Sequence, residues 1–73
     1  MTPQQVKNLG YQHIKSYDHD AYNTDRFQKG VIQVEFTYHT ASQQLETVDI
    51  TIDEVIGKEV TFNQLKQIDN ILN

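Results

Sequence analysis

The chain has 73 residues, of which 37% are hydrophobic, 10% aromatic and 22% charged, and it contains no cysteine. This composition is too apolar and too aromatic for a disordered chain, and its apolar runs are too short for a membrane-spanning helix or a signal peptide. The lack of cysteine excludes a disulfide scaffold, a thiol nucleophile and a cysteine-based zinc site. We therefore expect one small α+β domain over residues 1–73, located in the cytoplasm.

The net charge of −4 lies entirely in the second half of the chain. Four basic side chains balance four acidic ones in residues 1–36, whereas residues 37–73 carry six acidic side chains and two lysines. Binding to a phosphate backbone needs clustered lysine and arginine, so we expect no direct contact with DNA or RNA. The composition also predicts no membrane partner.

The first predicted element is a short helix that begins after Thr2. Thr2 and Gln5 form a T-x-x-Q capping box, and Pro3 suits the first helical position. Gly10 is a plausible left-handed residue after the last turn, so the helix should end near Leu9.

A longer first helix is the alternative. Val6, Leu9, His13 and Tyr17 also fit a helical stripe, which would carry the helix through Gly10. A glycine inside a helix costs up to about 1 kcal/mol relative to alanine. This cost favours the short helix, followed by a first strand over residues 11–17.

The middle of the chain predicts a loop and then a hairpin. Residues 18–26 are rich in Asp, Asn and Thr, which favour turns, and we interpret them as a loop. Residues 31–39 and 45–53 alternate apolar and polar side chains, which is typical of half-buried strands. Two registers keep the apolar side chains on one face, and they place Glu35 opposite either Asp49 or Thr51. The first is favoured, because it leaves a three-residue hairpin loop.

The last predicted element is a helix that begins after Thr61. Residues 56–58 are expected to form a turn, and Thr61 and Gln64 then repeat the capping box. An apolar stripe should lay this helix across the hairpin; it comprises Phe62, Leu65, Ile68, Ile71 and Leu72. The expected architecture is a short N-terminal helix, an antiparallel β-meander of two to three strands, and a C-terminal helix packed on one face of the sheet.

The expected hydrophobic core draws on all of these elements. Its predicted members are Val6, Leu9, Ile14, Ile32, Val34, Phe36, Tyr38, Val48, Ile50, Ile52, Leu65, Ile68, Ile71 and Leu72. A chain of this size has little core to spare for a deep substrate pocket.

Catalytic and metal-binding patterns are weak in this sequence. Asp18, His19 and Asp20 resemble an acid–base cluster, but adjacent side chains rarely face each other, and a solvated loop is the simpler interpretation. His13, His19 and His39 lack the compact spacing of metal ligands, and no phosphate-binding glycine motif occurs. We expect no enzymatic activity, no cofactor and no metal.

Two surfaces are candidates for binding a partner. Tyr17 and Tyr22 belong to a tyrosine-rich segment, which could bind a protein or close one end of the small core. Glu35, Asp49 and Asp53 should share the polar face of the hairpin. There Glu35 opposite Asp49 indicates a basic partner or a cation, unless Glu35 leans into water or the other register holds.

The leading functional hypothesis is a non-enzymatic protein-interaction module that binds another protein through these surfaces. One alternative is a structural homo-oligomer that associates through a sheet edge or the tyrosines. Another is an acidic mimic of nucleic acid that inhibits a DNA- or RNA-binding protein. The chain has the general look of small bacterial or phage domains, without a residue motif that assigns it to a family.

Overall fold

The fold is a five-stranded antiparallel sheet with one helix before it and one after it. The computed structural model describes residues 1–53, 55–58 and 60–73, without the side chains of residues 56 and 58. The elements are α1 (Pro3–Asn8), β1 (Gln12–His19), β2 (Tyr22–Lys29), β3 (Ile32–His39), β4 (Leu45–Ile52), β5 (Val55–Lys58) and α2 (Phe62–Leu72). The strands lie in chain order across the sheet. The α+β class is confirmed, but the expected two to three strands were too few.

The short first helix is confirmed at both ends. Gln5 N–H donates to Thr2 Oγ1 at 3.2 Å, and Thr2 N–H donates back to Gln5 Oε1 at 2.9 Å. At the other end, Gly10 N–H bonds the Lys7 carbonyl and Tyr11 N–H bonds the Val6 carbonyl, each at 3.0 Å. Gly10 has φ +104°, a conformation that side chains rarely tolerate. This closure turns the chain out of α1 and directly into β1.

The expected loop over residues 18–26 is wrong, because most of that segment lies in the hairpin of β1 and β2. His19 pairs with Tyr22, which leaves only Asp20 and Ala21 as the connection. Asp20 adopts φ +54°, which Asp tolerates better than most residues. The turn-forming composition therefore marks a two-residue turn and two polar strands.

The hairpin of β3 and β4 has the favoured register. Glu35 lies opposite Asp49, and Phe36 lies opposite Val48. The pairing shifts by one residue near the turn, so the connection covers residues 40–44 instead of three residues. The turn expected at residues 56–58 is wrong, since these residues belong to β5, which pairs with the second half of β4.

The core lies on the face of the sheet to which both helices contribute side chains. Its buried apolar residues are Val6, Tyr11, Phe27, Ile32, Val34, Phe36, Ile50 and Leu65. The rings of Phe27 and Phe36 meet edge to face, with centroids 5.7 Å apart. Tyr11 and Phe27 join this core although they were not among its predicted members. Leu9, Tyr38, Val48, Ile52 and Ile68 pack against it only partly buried.

Three residues predicted for the core are exposed instead. Ile14 lies at the bulge where the pairing of β1 with β2 shifts, so its side chain is half exposed. Ile71 is 81% exposed, and Leu72 is 45% exposed. The packing of the C-terminal helix therefore differs from the expected stripe, because α2 buries Leu65 and Asp69.

Asp69 ties α2 to the start of the sheet. Its carboxylate accepts hydrogen bonds from Lys29 Nζ at 2.9 Å, Asn73 Nδ2 at 3.1 Å and Tyr11 Oη at 3.2 Å. Burial alone would raise the pKa of Asp69, but the hydrogen bonds from Lys29 and Asn73 and the charge of Lys29 outweigh it and lower the pKa. Burial and the charge of Asp69 raise the pKa of Tyr11. No helix among the described residues is long and apolar enough to cross a membrane.

Candidate functional site

The face of the sheet opposite the core brings together most of the predicted binding residues. Residues paired across antiparallel strands share a face, and successive residues alternate between faces. Phe27, Val34 and Ile50 pair across the core face, so their strand neighbours lie on the opposite one. We call this opposite side the outer face; its residues used below are Tyr17, His19, Tyr22, Thr24, Arg26, Glu35, Thr37, His39 and Asp49.

A three-residue cluster forms the centre of the outer face. Tyr17 Oη donates to Glu35 Oε2 at 2.7 Å, and Arg26 Nη2 lies 3.4 Å from the same oxygen. The Arg26 guanidinium lies 5.8 Å from the centre of the Tyr17 ring. The hydrogen bond to Glu35, burial and the charge of that carboxylate raise the pKa of Tyr17. The cluster links β1, β2 and β3 and holds the Tyr17 ring in place.

A row of aromatic rings continues from this cluster toward one end of the sheet. The ring centroids are 5.6 Å apart from Tyr17 to His19, 5.9 Å from His19 to Tyr22, and 5.0 Å from Tyr22 to His39. We call these four residues the aromatic row. Thr24 lies on the same face yet is only 1% exposed. The row therefore presents preassembled aromatic surface with polar ring atoms, a composition enriched at protein interfaces.

Hydrogen bonds fix the two histidines of the aromatic row. His19 Nε2 lies 3.1 Å from Thr24 Oγ1, which in turn lies 3.0 Å from Thr37 Oγ1. His39 Nε2 lies 2.5 Å from Glu46 Oε2. These contacts reduce the number of conformations that the rings can adopt, so less side-chain entropy would be lost when a partner binds.

Glu35 and Asp49 lie opposite each other, but the Glu35 carboxylate binds other side chains. Glu35 turns toward β2, where Arg26 and Tyr17 bind it, and its side chain is only 18% exposed. Asp49 Oδ1 is buried without a hydrogen-bond partner among the described side chains, a set that omits the Lys58 side chain at its β5 neighbour. The outer face is therefore mixed in charge, with Arg26 on β2 and carboxylates on β3 and β4.

The structure separates Asp53 from the other predicted site residues. Asp53 lies in the turn after β4 with φ +47°, at the end of the sheet away from the aromatic row. It lines a shallow depression of about 370 Å³ with Gln28, Gly30, Val31, Gln33 and Thr51. Tyr17, Tyr22, Glu35 and Asp49 share the outer face, and Asp53 lies at its margin.

Several residues of the outer face were not predicted to bind a partner. Arg26, His19 and Thr24 fell within the segment interpreted as a loop, and His39 was considered only as a metal ligand. The sequence does contain a signal for the hairpin of β2 and β3, since Gly30 and Val31 form a two-residue turn directly before β3. Recognising that turn would have placed a strand before Gly30.

Asp18 and His19 do not form the acid–base pair that their neighbouring positions suggested. His19 stacks between Tyr17 and Tyr22, while Asp18 pairs with Asn23 on the core face and does not orient the imidazole. Within residues 1–53, 55–58 and 60–73, no group of three His, Asp or Glu side chains is placed to hold a metal ion.

Comparison with known proteins gives no relative. No protein-family model, no curated protein and no solved structure matches this chain. The function must therefore be argued from the site itself.

Proposed function

We propose that this chain is a non-enzymatic protein-interaction module that binds a partner protein through the outer face. The observation that carries the proposal is the aromatic row, whose four rings come from three strands and are fixed in contact beside the Arg26–Glu35 ion pair. Binding energy at protein interfaces concentrates at Tyr, Trp and Arg side chains held in place by their surroundings. We place the module in the cytoplasm, in keeping with its lack of cysteine.

Charge specifies the chemistry of the partner's binding patch. The net charge of −4 lies in the second half of the chain, which contributes Asp49 to the outer face and Glu46 beside the His39 ring. A complementary patch carries an apolar or aromatic centre against Tyr17 and Tyr22, and lysine or arginine toward β4. Salt should weaken such a complex moderately, because only part of its contact is between charges.

The arrangement gives less support to the nucleic-acid mimic. A mimic needs an array of free carboxylates, and Glu35 is bound by both Arg26 and Tyr17. A homo-oligomer that pairs two copies through the outer face is a separate alternative. We keep it as an outcome of the test below, because it would engage the same residues.

The test compares three point variants with the wild type in capture from a native lysate. Tyr22→Ala removes a ring from the aromatic row, and Ile71→Ala is the matched control, since Ile71 is an exposed side chain on α2. Tyr17→Ala removes a second ring of the aromatic row. All three variants are first shown to be folded by circular dichroism, and light scattering gives the mass of the free protein.

We expect a discrete protein that the wild type and Ile71→Ala retain and that Tyr22→Ala loses. Retention of every captured protein by Tyr22→Ala and by Tyr17→Ala would overturn the proposal. A dimer that Tyr22→Ala converts to monomer, without any other captured protein, would replace the foreign partner by a second copy.

A further inference from the structure

A groove runs along the edge of β4 that faces away from β3. It has a volume of about 550 Å³, within the range of roughly 300–1,000 Å³ that ligand sites occupy. One wall consists of residues 45–49, and the other consists of Met1, Val60 and Thr61. Five consecutive strand residues, pointing alternately to both faces, can border one space only along the edge of the strand.

Among the described residues, the pairing of β4 with β5 leaves the first half of β4 unpaired along this edge. The pairing with β5 covers Asp49 to Ile52, and no described residue pairs with Leu45, Glu46 or Thr47 on that side. Where β4 has no neighbouring strand, its backbone N–H and C=O groups on that side face outward, and another extended chain can bind them.

The side chains around the groove define what such a chain should carry. Its apolar lining comes from Met1, Leu45, Val48 and Val60, and Leu45 is 47% exposed. Glu46, whose carboxylate also bonds His39, and Asp49, of which one oxygen is buried, add negative charge along the same edge. Apolar contact and negative charge beside open backbone groups suit an extended segment with an apolar residue flanked by lysine or arginine.

We propose that this groove binds such a segment of a partner protein, which adds a short strand beside Leu45–Thr47. Its apolar side chain fills the space between Leu45 and Val60, and its basic side chains face Glu46 and Asp49. The groove adjoins the outer face, because Asp49 belongs to that face and Glu46 bonds His39 of the aromatic row. Its lining includes no ring of the aromatic row, so it is a separate binding surface.

The probe is the peptide acetyl-Lys-Val-Lys-Val-Lys-amide, titrated into the ¹⁵N-labelled full chain and followed by NMR. Two matched peptides accompany it: one with Glu in place of Lys, and one with N-methylated Val, which cannot donate backbone hydrogen bonds. Two protein variants are Leu45→Ser in the groove and Val31→Ser, an exposed apolar side chain away from it.

We expect saturable shifts of the backbone N–H signals at residues 45–49 and 60–61 with the lysine peptide. Leu45→Ser should weaken this binding about tenfold, whereas Val31→Ser should leave it unchanged. The glutamate and N-methylated peptides should bind at least about tenfold more weakly.

Three results would overturn the inference: no saturable shift, equal binding by the lysine and glutamate peptides, or shifts confined to Tyr17, His19 and Tyr22. Equal binding by the N-methylated peptide would overturn the added strand. The peptide titration does not use the partner protein that the Tyr22→Ala experiment seeks. Failure of the groove proposal can therefore be distinguished from failure of the proposed function.

Discussion

Asp69 and Lys29, forty residues apart in the chain, form a 2.9 Å ion pair at the end of the sheet. The pair is completed by the Leu9 carbonyl, which accepts a second hydrogen bond from Lys29 at 2.9 Å, and by Tyr11, which donates to Asp69. These contacts join α1, the entry to β1, the end of β2 and α2. Because a small domain buries a limited core, we infer that this network fixes the C-terminal helix on the sheet.

Replacement of Asp69 by Asn should lower the free energy of unfolding by about 2–3 kcal/mol, because the partly buried Lys29 ammonium loses its ion pair. The Tm should fall by roughly 10–20 °C. Asp53→Asn is the control, since Asp53 is exposed in a turn, and it should change stability by less than about 0.5 kcal/mol. Equal stability of the two variants in urea unfolding would show that the network does not hold α2.

The pH dependence of stability should carry the signature of Asp69. Its pKa is lower in the folded protein than in the unfolded chain, so its contribution is present at neutral pH and is lost as the pH falls through the folded value. The difference in unfolding free energy between the wild type and Asp69→Asn should therefore be constant above about pH 5 and shrink below about pH 4. A difference that stays unchanged down to about pH 2 would contradict the assignment.

The pKa of Tyr17 should report its hydrogen bond to Glu35. That hydrogen bond is the largest cause of the raised pKa of Tyr17, with burial and the Glu35 charge adding to it. Glu35→Gln should lower the pKa of Tyr17 toward its ordinary value of about 10, measured from the ring carbon bearing the hydroxyl by NMR. Glu46→Gln, which changes a carboxylate bound to His39, should leave it unchanged. An equal pKa of Tyr17 in the wild type and in Glu35→Gln would contradict the hydrogen bond between Tyr17 and Glu35.

The left-handed conformation of Gly10 should make that position sensitive to substitution. The atoms nearest to an added Cβ would belong to the Lys29 side chain, at 3.4 Å or more, so the strain comes from the backbone and not from a clash. Gly10→Ala should cost about 1–2 kcal/mol in urea unfolding. Gly10→Asn should cost less than Gly10→Ala, because Asn tolerates this conformation better. The reverse order would point to a packing role for Gly10.

The parts of the fold that the sequence predicts are those with strong local patterns. Capping residues defined the starts of both helices, and the alternation of apolar residues defined the β3–β4 register through Val34 and Ile50. The β1–β2 hairpin escaped because Phe27 is its one buried apolar side chain, so no alternation is visible. Where both faces of a strand are polar, the sequence carries little information about pairing.

Interactions between residues that are distant in the sequence explain the remaining incorrect predictions. Asp69 can occupy a buried helical position because Lys29 pairs with its charge and Tyr11 donates a hydrogen bond to it. Both partners lie far from Asp69 in the sequence, so no local pattern predicts them. Exposure of Ile71 follows, since α2 presents the Leu65–Asp69 side to the sheet. In the same way, Glu35 opposite Asp49 indicated an unbalanced acidic face only while Arg26 was assigned to a loop.

The central claim is that the outer face binds a partner protein, and site-specific photo-crosslinking tests it most directly. Benzoylphenylalanine replaces Tyr22 on the outer face in one protein and Ile71 on α2 in the other, and both are irradiated in native lysate. We predict a discrete crosslink to another protein from position 22 and none to that protein from position 71. A partner that crosslinks only from position 71, or none from position 22 at any salt concentration, would contradict the account.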